Sequence, residues 1–280
     1  MNEILTAVIP VVIIGLICAA VLVTASKIMA VKENEKIPKI RECLPGANCG
    51  ACGFAGCDGY AKALAETEGT PTNLCVPGGD SVSRKISELL GVEFEDVIEK
   101  VAVVHCSGDC RFTQDRVEYS GIESCAAAKL IFSSKGECSY GCMGLGDCAK
   151  ACPNNAVCIE SGIARINTKQ CVGCGLCVKA CPNSVISLMD DVERAVVACN
   201  NKDKGAQTRK ACKSGCIGCK KCEKVCPSGA IKVVNNLAQI DYSKCPDCDD
   251  FGICARECTT GCIIISDFKG QCTIAGNSGR

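Results

Sequence analysis

The sequence predicts an α+β protein, made of small cysteine-bound lobes strung behind a single N-terminal apolar helix. Three observations carry that expectation. Four cysteine quartets recur along the second half of the chain, and Cys152 and Cys171 are 19 residues apart, as are Cys226 and Cys245. Alternating segments, Ala164-Arg165-Ile166-Asn167 and Ala238-Gln239-Ile240-Asp241, deliver the later quartet of each pair as strand and turn. Ile4 to Ala25 contains no charged residue. The expected organisation is a transmembrane anchor (1–26), a basic stalk (27–41), a small cluster domain (42–80) and an α/β connector (81–137). Two tandem modules (138–200 and 201–265) and a tail (266–280) complete it.

Thirty cysteines in 280 residues would suit a disulfide-rich secreted protein. The grouping argues otherwise: short repeated spacings, Gly-rich surroundings, and three of four quartets ending in Cys-Pro. Disulfide frameworks spread their partners, whereas metal sites gather several thiolates into one loop. Zinc is the rival, but zinc pairs usually sit in separated Cys-x2-Cys knuckles. A reducing or anaerobic cytoplasm suits such oxidation-labile thiolates. Lys+Arg and Asp+Glu are 31 each, so no global charge points to nucleic acid, and none is expected as a partner. There is no Trp and aromatics are few, so large aromatic cores are excluded and metal binding is expected to nucleate the lobes.

As a helix, the 22 residues from Ile4 to Ala25 would rise about 33 Å, enough for a hydrocarbon core of about 30 Å. Pro10 near its start is tolerable. A cleavable signal peptide fits less well, because Met1-Asn2-Glu3 lacks a basic n-region. Lys27, Lys32, Lys36, Lys39 and Arg41 follow the span, which places the later residues in the cytoplasm. Gly15, Cys18 and Ala19 form a small-residue stripe, either for a partner helix or within a plain anchor.

The first cluster domain reads Cys49-x2-Cys52-x4-Cys57-x17-Cys75, with Gly46, Gly50, Gly53 and Gly56 letting the backbone wrap closely. Asp58 to Glu66 is expected as a short helix, and Cys43 as a buried structural thiol. In the connector, Ser83 to Leu90, Glu95 to Lys100 and Ser124 to Phe132 have helical patterning, and Val101 to Val104 reads as a buried strand. Ala102-Val103-Val104-His105-Cys106 resembles Ala195-Val196-Val197-Ala198-Cys199. Cys106, Cys110 and Cys125 belong to no quartet. Either they join Cys199 or Cys212 in an additional cluster, or they are buried thiols of a packed connector. His105, the only histidine, is expected as a packing or surface residue rather than a ligand.

The second and third quartets are Cys171-x2-Cys174-x2-Cys177-x3-Cys181-Pro182 and Cys216-x2-Cys219-x2-Cys222-x3-Cys226-Pro227. The outer two are stretched: Cys138-x3-Cys142-x5-Cys148-x3-Cys152-Pro153 and Cys245-x2-Cys248-x5-Cys254-x3-Cys258. These spacings resemble those of two-cluster bacterial ferredoxins, where three cysteines hold one [4Fe-4S] cluster and the fourth reaches the other. That pattern implies Cys138, Cys142, Cys148 with Cys181, and Cys171, Cys174, Cys177 with Cys152. It likewise implies Cys216, Cys219, Cys222 with Cys258, and Cys245, Cys248, Cys254 with Cys226. Thr259 stands where the pattern has Pro, and Cys158 and Cys262 fall at packing positions. Cys272 in the tail has no assignment.

The span, basic stalk, Cys-x2-Cys-x4-Cys-x17-Cys domain and ferredoxin-like modules together resemble the B subunit of the Rnf complex, over nearly the whole chain. Shorter members of that family carry one two-cluster module; this chain has two, as in the longer form of anaerobic clostridia and acetogens. The resemblance implies an iron–sulfur subunit of an ion-pumping ferredoxin:NAD oxidoreductase, taking electrons from reduced ferredoxin through about five [4Fe-4S] clusters. It implies other Rnf subunits, integral membrane ones included, as partners, and single-pass attachment to the cytoplasmic membrane. An electron-feeding subunit of a hydrogenase or quinone reductase would share the modules but not the spacing of the first domain. A zinc-binding scaffold is the rival from another class.

Gly144-x-Gly146-x-x-Ala149 matches a dinucleotide fingerprint only superficially, since it sits inside a cysteine loop and follows no strand. No nucleophile or paired-carboxylate constellation is present, so any NAD chemistry belongs to a partner. Between Lys202 and Lys224 eight basic residues (Lys202, Lys204, Arg209, Lys210, Lys213, Lys220, Lys221, Lys224) face only Asp203 and Glu223. Beside the third quartet, Lys220, Lys221 and Lys224 form either a docking patch for an acidic ferredoxin or an ordinary solvated loop.

Overall fold

A computed structural model describes residues 2–28, 34–190, 194–245, 248 and 252–266. Cys272, most of the expected tail and part of the basic stalk lie outside them. Helix α1 runs over Asn2–Ile28. Its eight large apolar side chains between Val12 and Val23 are at least half exposed and surround the whole circumference. Among the described residues no helix is long and apolar enough to cross a membrane.

The first lobe is helical. α2 (Lys36–Cys43), α3 (Gly56–Glu66) and α4 (Gly79–Leu90) close around Ile40, Leu44, Tyr60, Leu64 and Ile86. Tyr60 is buried in this core against the Phe54 ring, and its hydroxyl donates to the Pro71 carbonyl at 2.7 Å, so the buried phenol keeps a partner. Cys43 is half-buried against the same cluster. Residues 95–99, expected to be helical, have no regular structure. The backbone there is held by α4 instead: Ser83 Oγ donates to the Glu95 carbonyl and the Val97 N–H donates to Asp80.

Strand β1 (Lys100–Val104) follows, then α5 (Cys125–Phe132), α6 (Asp147–Lys150), the hairpin β2 (Val157–Glu160) and β3 (Ile163–Ile166), α7 (Leu176–Ala180) and β4 (Ile186–Asp190). The second unit repeats this order. It has β5 (Arg194–Val197), α8 (Gly205–Ala211), α9 (Lys221–Val225), the hairpin β6 (Ile231–Val234) and β7 (Leu237–Ile240), α10 (Ile253–Arg256) and β8 (Ile263–Ser266). Gly144 closes one loop tightly: with φ +67° it approaches so near the hairpin that a Cβ would meet the Gly162 carbonyl oxygen at 2.3 Å. The fingerprint-like glycine therefore packs a cysteine loop onto a β-turn.

The strand pairing crosses the expected segment limits. β1 comes from the connector, yet it pairs antiparallel with β4 from Lys100↔Asp190 to Val104↔Ile186. β5 closes the first module in sequence, yet it pairs with β8 of the second. The apolar repeat ending in Cys106 and Cys199 is therefore the first strand of each unit. Both strands are buried on two faces. Ala102 and Val104 face one cysteine core, while Val101, Val103 and Met189 meet Val196 and Ile264 across the inter-module interface. Ala195 and Val197 face the second core.

His105 pins this interface, as the packing expectation required. Its Nδ1–H donates to the Val197 carbonyl at 2.9 Å, a tautomer fixed because a carbonyl can only accept. Nε2 then accepts from the Ser187 hydroxyl at 2.7 Å.

Candidate metal centres

Cysteines of the quartets converge on hollows rather than on points. Among the described residues no three ligating side chains stand close enough to share a single metal ion. The first hollow, about 20 Å³, is walled by Cys49, Cys52, Cys57 and Cys75. Asn48, in a left-handed conformation, accepts the Cys57 N–H on Oδ1 at 2.8 Å and fixes the loop where it enters α3. Burial pushes the Cys75 thiol up to about 11, and Cys57, Cys52 and Cys49 add to it as like-charged neighbours.

A second hollow, about 10 Å³, is walled by Cys152, Cys171, Cys174 and Cys177. Burial pushes Cys177 up to about 12, with Cys171, Cys174 and Cys152 reinforcing it. N–H groups already point at these sulfurs: Ala102 donates to Cys171 Sγ at 3.4 Å and Ala156 to Cys152 Sγ at 3.3 Å. This hollow adjoins the first lobe. Lys179 of α7 donates to the Cys49 carbonyl at 2.6 Å, and Cys49 is a charged neighbour of Cys174.

In the second unit Cys216, Cys219, Cys222 and Cys258 wall a hollow of about 20 Å³. Burial pushes Cys222 up to about 11, and Cys216, Cys258 and Cys219 contribute in turn. Cys262, buried and 3.6 Å from Cys258 Sγ, shares this wall. As a neutral thiol it has one proton to share between Cys258 and Cys216, which lowers both below the ordinary thiol range while its own is raised. Cys254 is pushed up to about 11 by burial and by Cys245 and Cys226 beside it. Cys248 is flanked by residues outside the described set.

The remaining quartet has a further thiol, Cys125, beside it. Cys142 and Cys148 both have Cys125 and Cys181 as charged neighbours, and burial pushes Cys148 up to about 12. Asp147, next to Cys148, pins the N-terminus of α5 by accepting the Ser124 hydroxyl and the Ala126 N–H, each at 3.0 Å. Lys150 donates to the Glu123 carbonyl at 2.6 Å, and Lys129 donates to that of Pro182, next to Cys181. α5 is thus tied to both ends of the site, with Cys125 facing Met143 and Leu145. Cys138, expected with Cys142, Cys148 and Cys181, lines a larger cavity with Cys142, Cys106, Cys110, Cys199 and Cys212.

A signal for Cys125 was present. Cys142-x2-Leu145-x2-Cys148-x3-Cys152-Pro153 is the regular run with Leu145 in its second slot, so one thiol had to arrive from elsewhere.

Cys158 is exposed, with Sγ 3.4 Å from Glu160 Oε1, apart from every hollow. Lys220, Lys221 and Lys224 are exposed beside the Cys216 hollow, and Lys221 pairs with Glu257 at 2.7 Å.

Thiolate sets with burial, Gly-rich loops and N–H donors aimed at sulfur are the donor chemistry that iron–sulfur clusters require. Family models agree: residues 44–77 match an Fe-S cluster family and residues 170–230 a 4Fe-4S dicluster domain. The chain is 43% identical over 264 residues to the B subunit of the proton-translocating ferredoxin:NAD(+) oxidoreductase complex of Clostridium ljungdahlii, covering 94% of this chain and 93% of that one. It is 38% identical over 252 residues to the Na(+)-translocating counterpart of Acetobacterium woodii, covering 90% and 74%. Similarity to the B subunit of the ion-translocating oxidoreductase complex of Methanosarcina acetivorans is 41% over 246 residues, covering 88% and 92%. With such identity sustained over both modules and the first lobe, the chain belongs to the B-subunit family of ion-translocating ferredoxin:NAD oxidoreductase complexes.

Proposed function

We propose that the chain is the iron–sulfur relay of an ion-translocating ferredoxin:NAD oxidoreductase, receiving electrons from reduced ferredoxin and passing them to membrane subunits. The observation that carries this is the continuity of thiol-walled sites from the second module to the first lobe, in a chain related end to end to such subunits. [4Fe-4S] clusters supply one-electron chemistry at such sites. The protein contributes ligands, N–H donors and spacing.

Five ligand sets follow: Cys49, Cys52, Cys57 and Cys75; Cys152, Cys171, Cys174 and Cys177; Cys125, Cys142, Cys148 and Cys181; Cys216, Cys219, Cys222 and Cys258; and Cys226, Cys245, Cys248 and Cys254. Cys125 takes the place first expected of Cys138. The Lys179–Cys49 contact makes the second set the neighbour of the first, so the first lobe stands at the membrane end of the relay. α1 is the anchor. The support for this is the exposed apolar side chains between Val12 and Val23. Ferredoxin docks at the exposed lysines of the second module.

The test uses the intact complex under anaerobic conditions. On mixing with reduced ferredoxin, the iron–sulfur absorbance of this chain should bleach before NAD is reduced, and its removal should abolish electron entry. Bleaching by NADH alone, with none by ferredoxin, would place the chain elsewhere in the complex.

A further inference from the structure

A cavity of about 300 Å³ lies between the two modules, and of the five sets Cys142 alone reaches its wall. Cys106, Cys138, Cys199 and Cys212 are on its wall. We propose that these four thiolates hold a sixth [4Fe-4S] cluster, two from each module. The proposal rests on the reading of the other five sites as cubanes.

The four positions form two equivalent pairs. Cys106 and Cys199 each follow the first strand of a unit. Cys138 and Cys212 each precede a quartet by the same step, Cys138-x3-Cys142 and Cys212-x3-Cys216. The hydrogen bonds repeat the equivalence: the Cys142 N–H donates to Cys106 Sγ at 3.4 Å, and the Cys216 N–H donates to Cys199 Sγ at 3.3 Å. The module backbones repeat it again, with His105 N–H on the Val185 carbonyl and Ala198 N–H on that of Cys262. A repeated unit meeting its copy therefore brings two thiols from each side to one place.

The surroundings suit a thiolate set. Asn201, 1% exposed, donates its side-chain N–H to Cys138 Sγ and its backbone N–H to Cys199 Sγ, each at 3.4 Å. Cys138 is a charged neighbour of Cys106 and of Cys199, and Cys212 of Cys138. Gly108 closes the cavity from the connector. A Cβ there would stand 3.1 Å from Cys212 Sγ and 3.8 Å from Cys106 Sγ, so a side chain would crowd the thiol wall. The loop carrying it is fastened to both modules, by the Cys110 N–H on the Ser161 carbonyl and by Thr113 Oγ1 on that of Ala211. Cys110 is exposed and is excluded from the set.

This site joins the modules electrically as well as mechanically. Cys142 and Cys216, whose N–H groups meet its sulfurs, are themselves ligands of the sets on either side.

Iron and acid-labile sulfide per chain, measured on the full-length protein within its anaerobically purified complex, test the proposal. Six clusters give about 24 iron atoms per chain and five give about 20. The expected result is about 24 in the parent, about 20 in Cys138→Ser and Cys212→Ser, and no change in Cys110→Ser. About 20 in the parent overturns the sixth cluster while leaving the five-cluster relay intact. This count needs no variant to fold. A parent value near 24 with loss in Cys110→Ser and none in Cys138→Ser overturns the ligand set. Zinc in place of iron removes the relay itself.

Discussion

Single side chains at the edges of the thiol sets do tuning work that ligand counts omit. Cys262 occupies the position equivalent to Ala156, Val185 and Ala230, four residues after the last cysteine of each quartet. Its sulfur lies 3.6 Å from Cys258 Sγ, and as a neutral thiol it donates to a neighbouring thiolate. Hydrogen bonds to cluster sulfurs stabilise the reduced, more negative state and raise its potential. Cys262→Ala should therefore lower the midpoint potential of the Cys216, Cys219, Cys222 and Cys258 site. One hydrogen bond of about 1 kcal/mol corresponds to tens of millivolts, roughly 40 mV for one electron. Redox titration followed by electron paramagnetic resonance reads this directly, and iron lost from that site instead would make Cys262 a ligand. The alignment of repeats shows Cys262 at a packing position, but the donor role needs coordinates, because spacing cannot show which sulfur approaches which. For the same reason chain proximity groups Cys138 with Cys142 and Cys148 and gives no sign that Cys125 of α5 stands beside them in space.

At the scale of elements, β1 and β5 explain what was legible and what was not. Their apolar run ending in cysteine is visible in the sequence as a repeat. The partners of the two strands are not, because β1 and β4 are 82 residues apart along the register Val104↔Ile186. Residues 95–100 mislead for a related reason: their helix-like spacing is local, and the strand β1, buried on both faces, determines the path instead. Val103 and Val196, 1% and 0% exposed, meet across the interface of the two sheets. Truncation of Val196 to Ala should cost about 1–2 kcal/mol through the lost transfer energy and the gap left behind. Because the interface is shared, hydrogen exchange should accelerate in β1 and β4 as well as in β5 and β8. Acceleration confined to β5 and β8 would mean that the modules fold independently and that the interface contributes little.

For the whole molecule, uniform neutrality conceals a directional charge. The chain carries 31 basic and 31 acidic residues, yet the eight cations from Lys202 to Lys224 are all exposed on the second module. Lys221 is partly neutralised by Glu257, which leaves Lys220, on the wall of the Cys216 hollow, and the exposed Lys224 as the stronger local sources. Steering of an acidic carrier by such a patch acts through association rate and is screened by salt, with a Debye length of about 8 Å at physiological ionic strength. The double variant Lys220→Glu, Lys224→Glu should slow oxidation of reduced ferredoxin roughly tenfold at low salt and flatten its salt dependence. Iron content should stay unchanged, because neither lysine is a cluster ligand. The charge reversal Lys221→Glu should act as strongly as either reversal beside it, since it removes the same charge and leaves Glu257 unpaired. If both variants oxidise ferredoxin at the parent rate across the salt range, electrons enter by another face, and the second module serves to extend the relay rather than to receive the carrier.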